Sequence, residues 1–262
     1  MKQKTFFQKI TIPVIVVGSL AFYFALYFYL TLGMTKITTI GNLVVYADNP
    51  DLKKEMLLVM DSCILRLEEM NIQTKTKQRI ILCSNVNQYN IKTFFMHRNT
   101  LGVNQNLFNS ILIAPADYKN NRQQKYDDRL FNRRLSDAIA HEITHLYIRE
   151  RIGYLKNIYM SRSKNNWKIE GFCEYIAYSS SFNIKDGTDI FLNETVQPDH
   201  SLNSKLLKIT YFYFKSRLKT DYLFSCKYLS FDEFMNTNFD EITLENEIRE
   251  AMLDGVFSFV KQ

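Results

Sequence analysis

The most conspicuous pattern in the chain is an almost wholly apolar and aromatic run over residues 10–34, which carries no charge. At 1.5 Å of rise per residue it matches the roughly 30 Å hydrocarbon core of a bilayer. It exceeds the about 7–15 residues of a secretory h-region. It also lacks the polar face that a surface helix of a globular domain keeps. The pattern predicts an uncleaved transmembrane signal anchor. Lys2, Lys4 and Lys9 precede the run and only Lys36 closely follows it. The positive-inside rule then expects a single-pass membrane protein with a cytoplasmic N-terminus. The remainder would lie outside the cytoplasm, in a periplasm or at the cell exterior.

Beyond the run, residues 41–47 read as a strand closed by Asp48, Asn49 and Pro50. Asp51 is the expected N-cap of a helix to about residue 70, because Met56, Leu57, Met60, Ile64 and Leu67 recur at helical spacing. Residues 79–83 and 110–114 read as short strands, the second stopped by Pro115. The second could accept an extended peptide alongside it, or be an ordinary core strand. Residues 86–109 look polar and irregular, and 120–128 look like a charged connector. A long helix is expected over 127–152, ended by Gly153. A polar loop over 155–166 and a helix over 167–180 follow. After a polar stretch at 183–200, helical periodicity returns at 202–219 and 241–260. The expected class is α+β: an N-terminal transmembrane helix (1–34), then one domain (35–262). Within it come a small mixed sheet (35–126), helices around a central motif helix (127–182) and a helical C-terminal part (183–262).

Composition changes this little. With 46% hydrophobic and 23% charged residues, and only 8 Gly and 4 Pro, disorder and a loop-rich β-sandwich are both disfavoured. The net charge of +6 includes the three N-terminal lysines, and no basic stripe with interleaved aromatics follows, so nucleic acid is not an expected partner. Cys63, Cys83, Cys173 and Cys226 form no C-x-x-C pair, which excludes a zinc ribbon or a dithiol redox motif. A Cys63–Cys83 disulfide is conceivable in an exported domain, and four buried thiols are the simpler reading.

The candidate chemistry sits in the long helix, at His141-Glu142-Ile143-Thr144-His145. Residues i and i+4 lie about 40° apart around a helix, so both imidazoles can reach one metal ion. Glu142, about 100° from His141, flanks that face and can address a water without ligating the metal. Ala138, Ile139, Ile143 and Leu146 supply the apolar side that buries the helix. A catalytic zinc site needs three protein ligands and an open position. Glu170, 25 positions after His145 on the next predicted helix, is the candidate third ligand. Glu174 stands one turn further and is expected to accept the second ring N–H of His141. Cys173 is more simply a packing residue, as is Trp167.

Together, H-E-I-T-H and W-K-I-E-G-F-C-E-Y resemble the gluzincin metallopeptidases, including thermolysin-like and aminopeptidase N-like enzymes and smaller peptidase MA-like domains. The resemblance covers about residues 127–180. It implies a zincin-like fold and one zinc ion per chain, held by His141, His145 and Glu170, with Glu142 as general base. It also implies hydrolysis of a peptide or protein substrate. The segment nearest the G-x-M-E-N of aminopeptidase N-like enzymes, Gly102-Val103-Asn104-Gln105-Asn106, has Gln in place of the acid and reads as coincidence. An endopeptidase is therefore expected. The metzincin continuation after His145 is absent. His200, Tyr175 and Tyr211 are the candidates for stabilising an oxyanion. Two other readings stay open: an inactive zincin-like domain that binds an envelope protein, and a zinc hydrolase of a non-peptide amide.

Overall fold

The structure is a computed structural model that describes residues 3–94, 100–105, 108–123, 133–178, 184–193 and 205–259. Its helices are α1 (Gln3–Tyr29), α2 (Lys53–Glu69), α3 (Val86–Lys92), α4 (Leu135–Ile152), α5 (Tyr154–Ser161), α6 (Asn166–Ala177), α7 (Ile184–Asn193), α8 (Lys205–Ser225), α9 (Phe231–Asn236) and α10 (Glu241–Leu253). The main sheet is built from β1 (Thr35–Ile40), β2 (Leu43–Ala47), β3 (Gln78–Leu82), β4 (Gly102–Gln105) and β5 (Ser110–Ile113).

Strand order is β1-β2-β3-β5-β4. The three central strands are parallel, and both edge strands run antiparallel to their neighbours. Parallel strands need crossovers, and α2 and α3 supply them on opposite faces. Side chains alternate accordingly: Ile80, Leu82, Ile111 and Ile113 join the larger core with α2, α4, α6 and α8. Ile81, Cys83, Leu112 and Ala114 face the smaller core with Tyr89 of α3. Burial on both faces explains why residues 79–83 and 110–114 read as continuous apolar runs rather than alternating ones. β5 is flanked by β3 and β4, so it is an interior strand and has no edge for a peptide. The edge on that side is β4.

The smaller core also accounts for part of the N-terminal apolar run. Helix α1 ends at Tyr29, and the chain turns through residues 30–34. Leu26, Tyr27, Tyr29 and Leu30 pack against that core. Arg79 Nη1 donates to Tyr27 O at 2.8 Å, and Lys92 Nζ donates to Leu30 O at 2.9 Å. The end of the run, Leu26, Tyr27, Tyr29 and Leu30, is thus docked on the sheet, while residues 14–25 and Phe28 are exposed. No helix among the described residues is long and apolar enough to cross a membrane. This overturns the expected transmembrane signal anchor, and with it the single-pass placement, the membrane contact through that helix and the assignment of the domain to a periplasm or cell exterior.

Other differences are local. The cap near residue 50 is Asn49, whose Oδ1 accepts from Asp51 N at 2.9 Å and starts a short 3-10 turn before α2. Helix α4 begins at Leu135, and 127–132 fall outside the described residues. Its N-terminus is held from outside: Asn121 O accepts from Leu135 N and Asn121 Oδ1 accepts from Ser136 N. Gly153, at φ +87°, ends it as expected. The stretches read as loops at 155–166 and 183–200 contain α5 and α7. Cys63 and Cys83 belong to opposite faces of the sheet and all four cysteines are free, Cys226 half-buried and the others buried.

Candidate metal centre

Helix α4 lies buried between the sheet and α6, with Ala138, Ile139, Ile143 and Leu146 all inside the core. Each of the two isoleucines and the leucine contributes about 1.5–3 kcal/mol on burial, which fixes the rotation of the helix and so the direction of His141, Glu142 and His145. The neighbouring α6 is fixed from two sides. Arg66 of α2 donates from Nε to Ile176 O at 2.7 Å, at the helix C-terminus, where a cation is favoured. Gly171 lies directly against α8, where any Cβ would collide with Ser216 O and Thr220 Oγ1. The glycine beside Glu170 is therefore a packing requirement of the α6–α8 crossing.

These two helices bring three donor atoms together. His141 Nε2 and His145 Nε2 are 3.2 Å apart, and each lies 3.5 Å from Glu170 Oε2. Tetrahedral zinc with bonds of about 2.0–2.2 Å separates its ligand atoms by about 3.3–3.6 Å. The triangle has the size that one such ion requires. Glu170 Oε2 is buried and has no aligned hydrogen-bond partner. A buried carboxylate oxygen without a donor is costly in a metal-free protein and satisfied by a cation between the rings. The donor set of two imidazoles and one carboxylate fits a catalytic zinc site.

Glu174, almost fully buried, stands behind the triangle. Its Oε1 lies 2.9 Å from His141 Nδ1 and 3.0 Å from Arg133 Nη1. Both are ion-pair contacts bent away from ideal hydrogen-bond alignment. With Nδ1 turned to a carboxylate, Nε2 is the His141 nitrogen that faces the triangle and would ligate a metal. Burial and Arg133 act to lower the His141 pKa, but Glu170 and Glu174 outweigh them and raise it to about 9. Burial alone would raise Glu170 and Glu174. The histidines pull Glu170 well below the usual carboxylate range, while Arg133 and then His141 pull Glu174 down. The field in the site is thus anionic and favours positive charge.

Glu142 stands beside the triangle and against β4. A Cβ on Gly102 would come within 3.1 Å of Glu142 Cγ and Oε1, and Asn104 Nδ2 donates to Glu142 O at 3.2 Å. Gly102–Gln105, the described part of the segment Gly102-Val103-Asn104-Gln105-Asn106, is thus the edge strand β4 against the central helix.

Of the three oxyanion candidates, the two among the described residues, Tyr175 and Tyr211, are not brought to the site. His200 lies outside the described residues. Tyr175 stacks on Phe224 at 5.3 Å, on another side of α6, and Tyr211 stacks on Phe214 at 5.8 Å in the core. Tyr213, which sequence reasoning passed over, stands against His141 instead, with ring centroids 6.1 Å apart. The Glu170 carboxylate, and then burial, push its phenol well above the ordinary range, so it stays protonated as a donor. Tyr211, two positions away, lies about 200° round α8, and only the packing of α8 decides which of the two faces meets His141. Cys173 Sγ also belongs to the cluster: it and the two imidazoles offer ligand atoms within 4.8 Å of one another. Neither a scan of protein-family models nor a search of curated proteins finds a match to this chain.

Proposed function

We propose that the chain is a zinc-dependent peptidase that cleaves internal peptide bonds, with His141, His145 and Glu170 as metal ligands and Glu142 as general base. The observation that carries this reading is the triangle of donor atoms, 3.2, 3.5 and 3.5 Å on its sides, closed by a buried carboxylate oxygen that lacks a hydrogen-bond donor.

A zinc ion there supplies Lewis acidity, which polarises a carbonyl and brings the pKa of water to about 7. The rest is done by the chain. Glu142 takes the proton from the attacking water and returns it to the leaving amine. The Tyr213 hydroxyl donates to the oxygen on which charge develops. Glu174 holds the Nδ1 proton of His141, and Arg133 balances the charge of Glu174. The outer edge of β4 pairs with no other strand among the described residues. A substrate added there as an extended strand runs past Gly102, and so past Glu142. Absence of an acid at Gln105 removes the usual grip on a free amino terminus, which favours an endopeptidase.

Metal analysis of the full chain beside a peptide-library cleavage assay tests the reading. One zinc per chain is expected, with cleavage that falls about 10²–10⁴-fold in Glu142→Ala while zinc is retained. A chain that takes up no zinc under metal-replete conditions sinks the site. Stoichiometric zinc without cleavage of any peptide sinks the peptidase.

A further inference from the structure

Glu170, Cys173 and Glu174 occupy positions i, i+3 and i+4 of α6 and so share one face of it. Gly171, sealed against α8, prevents α6 from turning that face away. The consequence is a sulfur beside the two imidazoles. Cys173 is fully buried, and its Sγ and the two imidazole nitrogens fall within 4.8 Å of one another. Two imidazole nitrogens, the carboxylate oxygen near them and this sulfur would together supply four donors, the number that closes a tetrahedral zinc site. With zinc–sulfur and zinc–nitrogen bonds of about 2.3 and 2.0–2.1 Å, sulfur and nitrogen in such a site stand about 3.6 Å apart. From the widest spacing consistent with the cluster, Sγ has about 1 Å to travel, within the reach of a small metal shift and a rotation about χ1.

We propose that Cys173 is an alternative fourth ligand of this centre, which closes the coordination position needed by the hydrolytic water and gives the site an inactive state. The proposal rests on the metal reading of the preceding subsection. As the sulfur–metal bond formed, the S–H bond and the bond from metal to water would break, and the water and the thiol proton would leave to solvent, with no change in the oxidation state of metal or sulfur. Substrate competes with the thiolate for the same position. A thiolate also biases the centre towards softer cations, so cadmium gains more from Cys173 than zinc does.

Cobalt(II) loaded into the full wild-type chain reports the outcome directly. The expected spectrum has visible d–d bands together with a near-ultraviolet thiolate-to-cobalt charge-transfer band. In Cys173→Ser and Cys173→Ala the second band is lost and the first retained. The ratio of zinc to cadmium Kd should move towards zinc by about tenfold or more in Cys173→Ser. Visible bands of bound cobalt without the charge-transfer band in the wild type overturn the proposal and leave the proposed function standing. Failure of the wild type to bind cobalt or zinc at all overturns the metal reading on which both rest. The wild-type spectrum decides by itself, so poor folding of either variant leaves the test intact.

Discussion

Glu174 Oε1 lies 2.9 Å from His141 Nδ1, and that contact joins the candidate metal centre to the protein interior. The same oxygen meets Arg133, so a buried guanidinium, a buried carboxylate and an imidazole stand in a row ending at the triangle. The arrangement fixes the His141 tautomer and uses the carboxylate to offset a cation that would otherwise be stranded. Glu174→Gln removes the charge that offsets Arg133 and leaves His141 Nδ1 at best a weaker, neutral acceptor. Zinc affinity is expected to fall about 10–100-fold, read by competition with a chromophoric chelator. Unfolding stability is expected to fall by about 3–5 kcal/mol, because Arg133 is left buried without a counter-charge. Adding Arg133→Met to that variant should restore part of the stability and none of the zinc affinity. Equal recovery of both would mean that Glu174 acts on packing alone.

Gly102 touches Glu142 across the gap between β4 and α4. A methyl group there meets Glu142 Cγ and Oε1 at 3.1 Å and Ile113 Cδ1 at 3.3 Å, so the carboxylate has to give by a few tenths of an ångström. Displacement of a reacting group by 1 Å can cost about 10²-fold. Gly102→Ala should therefore lower kcat by up to about tenfold while zinc stoichiometry and Tm stay near wild type. Loss of Tm in step with kcat would show that the strand, not the carboxylate, had moved.

The sequence carried the interior of the fold more openly than its edges. Residues 79–83 and 110–114 announce themselves because both faces are buried, and Gly153 marks the end of α4 by its backbone conformation alone. β1 escaped notice although Thr35–Ile40 is rich in β-branched residues and followed by Gly41-Asn42, a hairpin turn signal. At the end of the N-terminal apolar run, residues 26–30, hydrophobicity records the wish to leave water and is silent on whether lipid or a sheet receives the side chain. Leu30, fully buried beside Ile81 and Tyr89, shows the second outcome. In the site, helical spacing was enough to align His141 with His145 and Glu170 with Glu174. It could not find Arg133, β4 or Tyr213, because these reach the triangle through tertiary contacts.

Gly171 gives a stability test of the same frame. The E-G pair in α6 invites a functional reading, yet the glycine faces away from the triangle and into the backbone of α8. Gly171→Ala should cost about 1–3 kcal/mol or more by overpacking. That corresponds to a Tm lower by roughly 2–12 °C in scanning calorimetry. An unchanged Tm would mean that α6 and α8 separate freely, and the fixed position of Glu170 would lose its explanation.

Tyr213 offers the sharpest separation of chemistry from structure. Its ring stands edge-on to His141, and the carboxylates around it keep the phenol protonated. Tyr213→Phe retains the ring, and with it the packing against His141, while it removes one donor. If that donor meets the charge that develops on the carbonyl oxygen, kcat falls about 10²–10³-fold. KM and zinc affinity should stay near wild type, since the bond is made only as charge develops. Steady-state kinetics on a cleaved library peptide, with metal analysis of the same preparation, distinguishes the cases. A rise in KM at constant kcat would assign the hydroxyl to substrate binding. An unchanged kcat/KM would leave Tyr213 as a packing residue and reopen the search for the oxyanion donor.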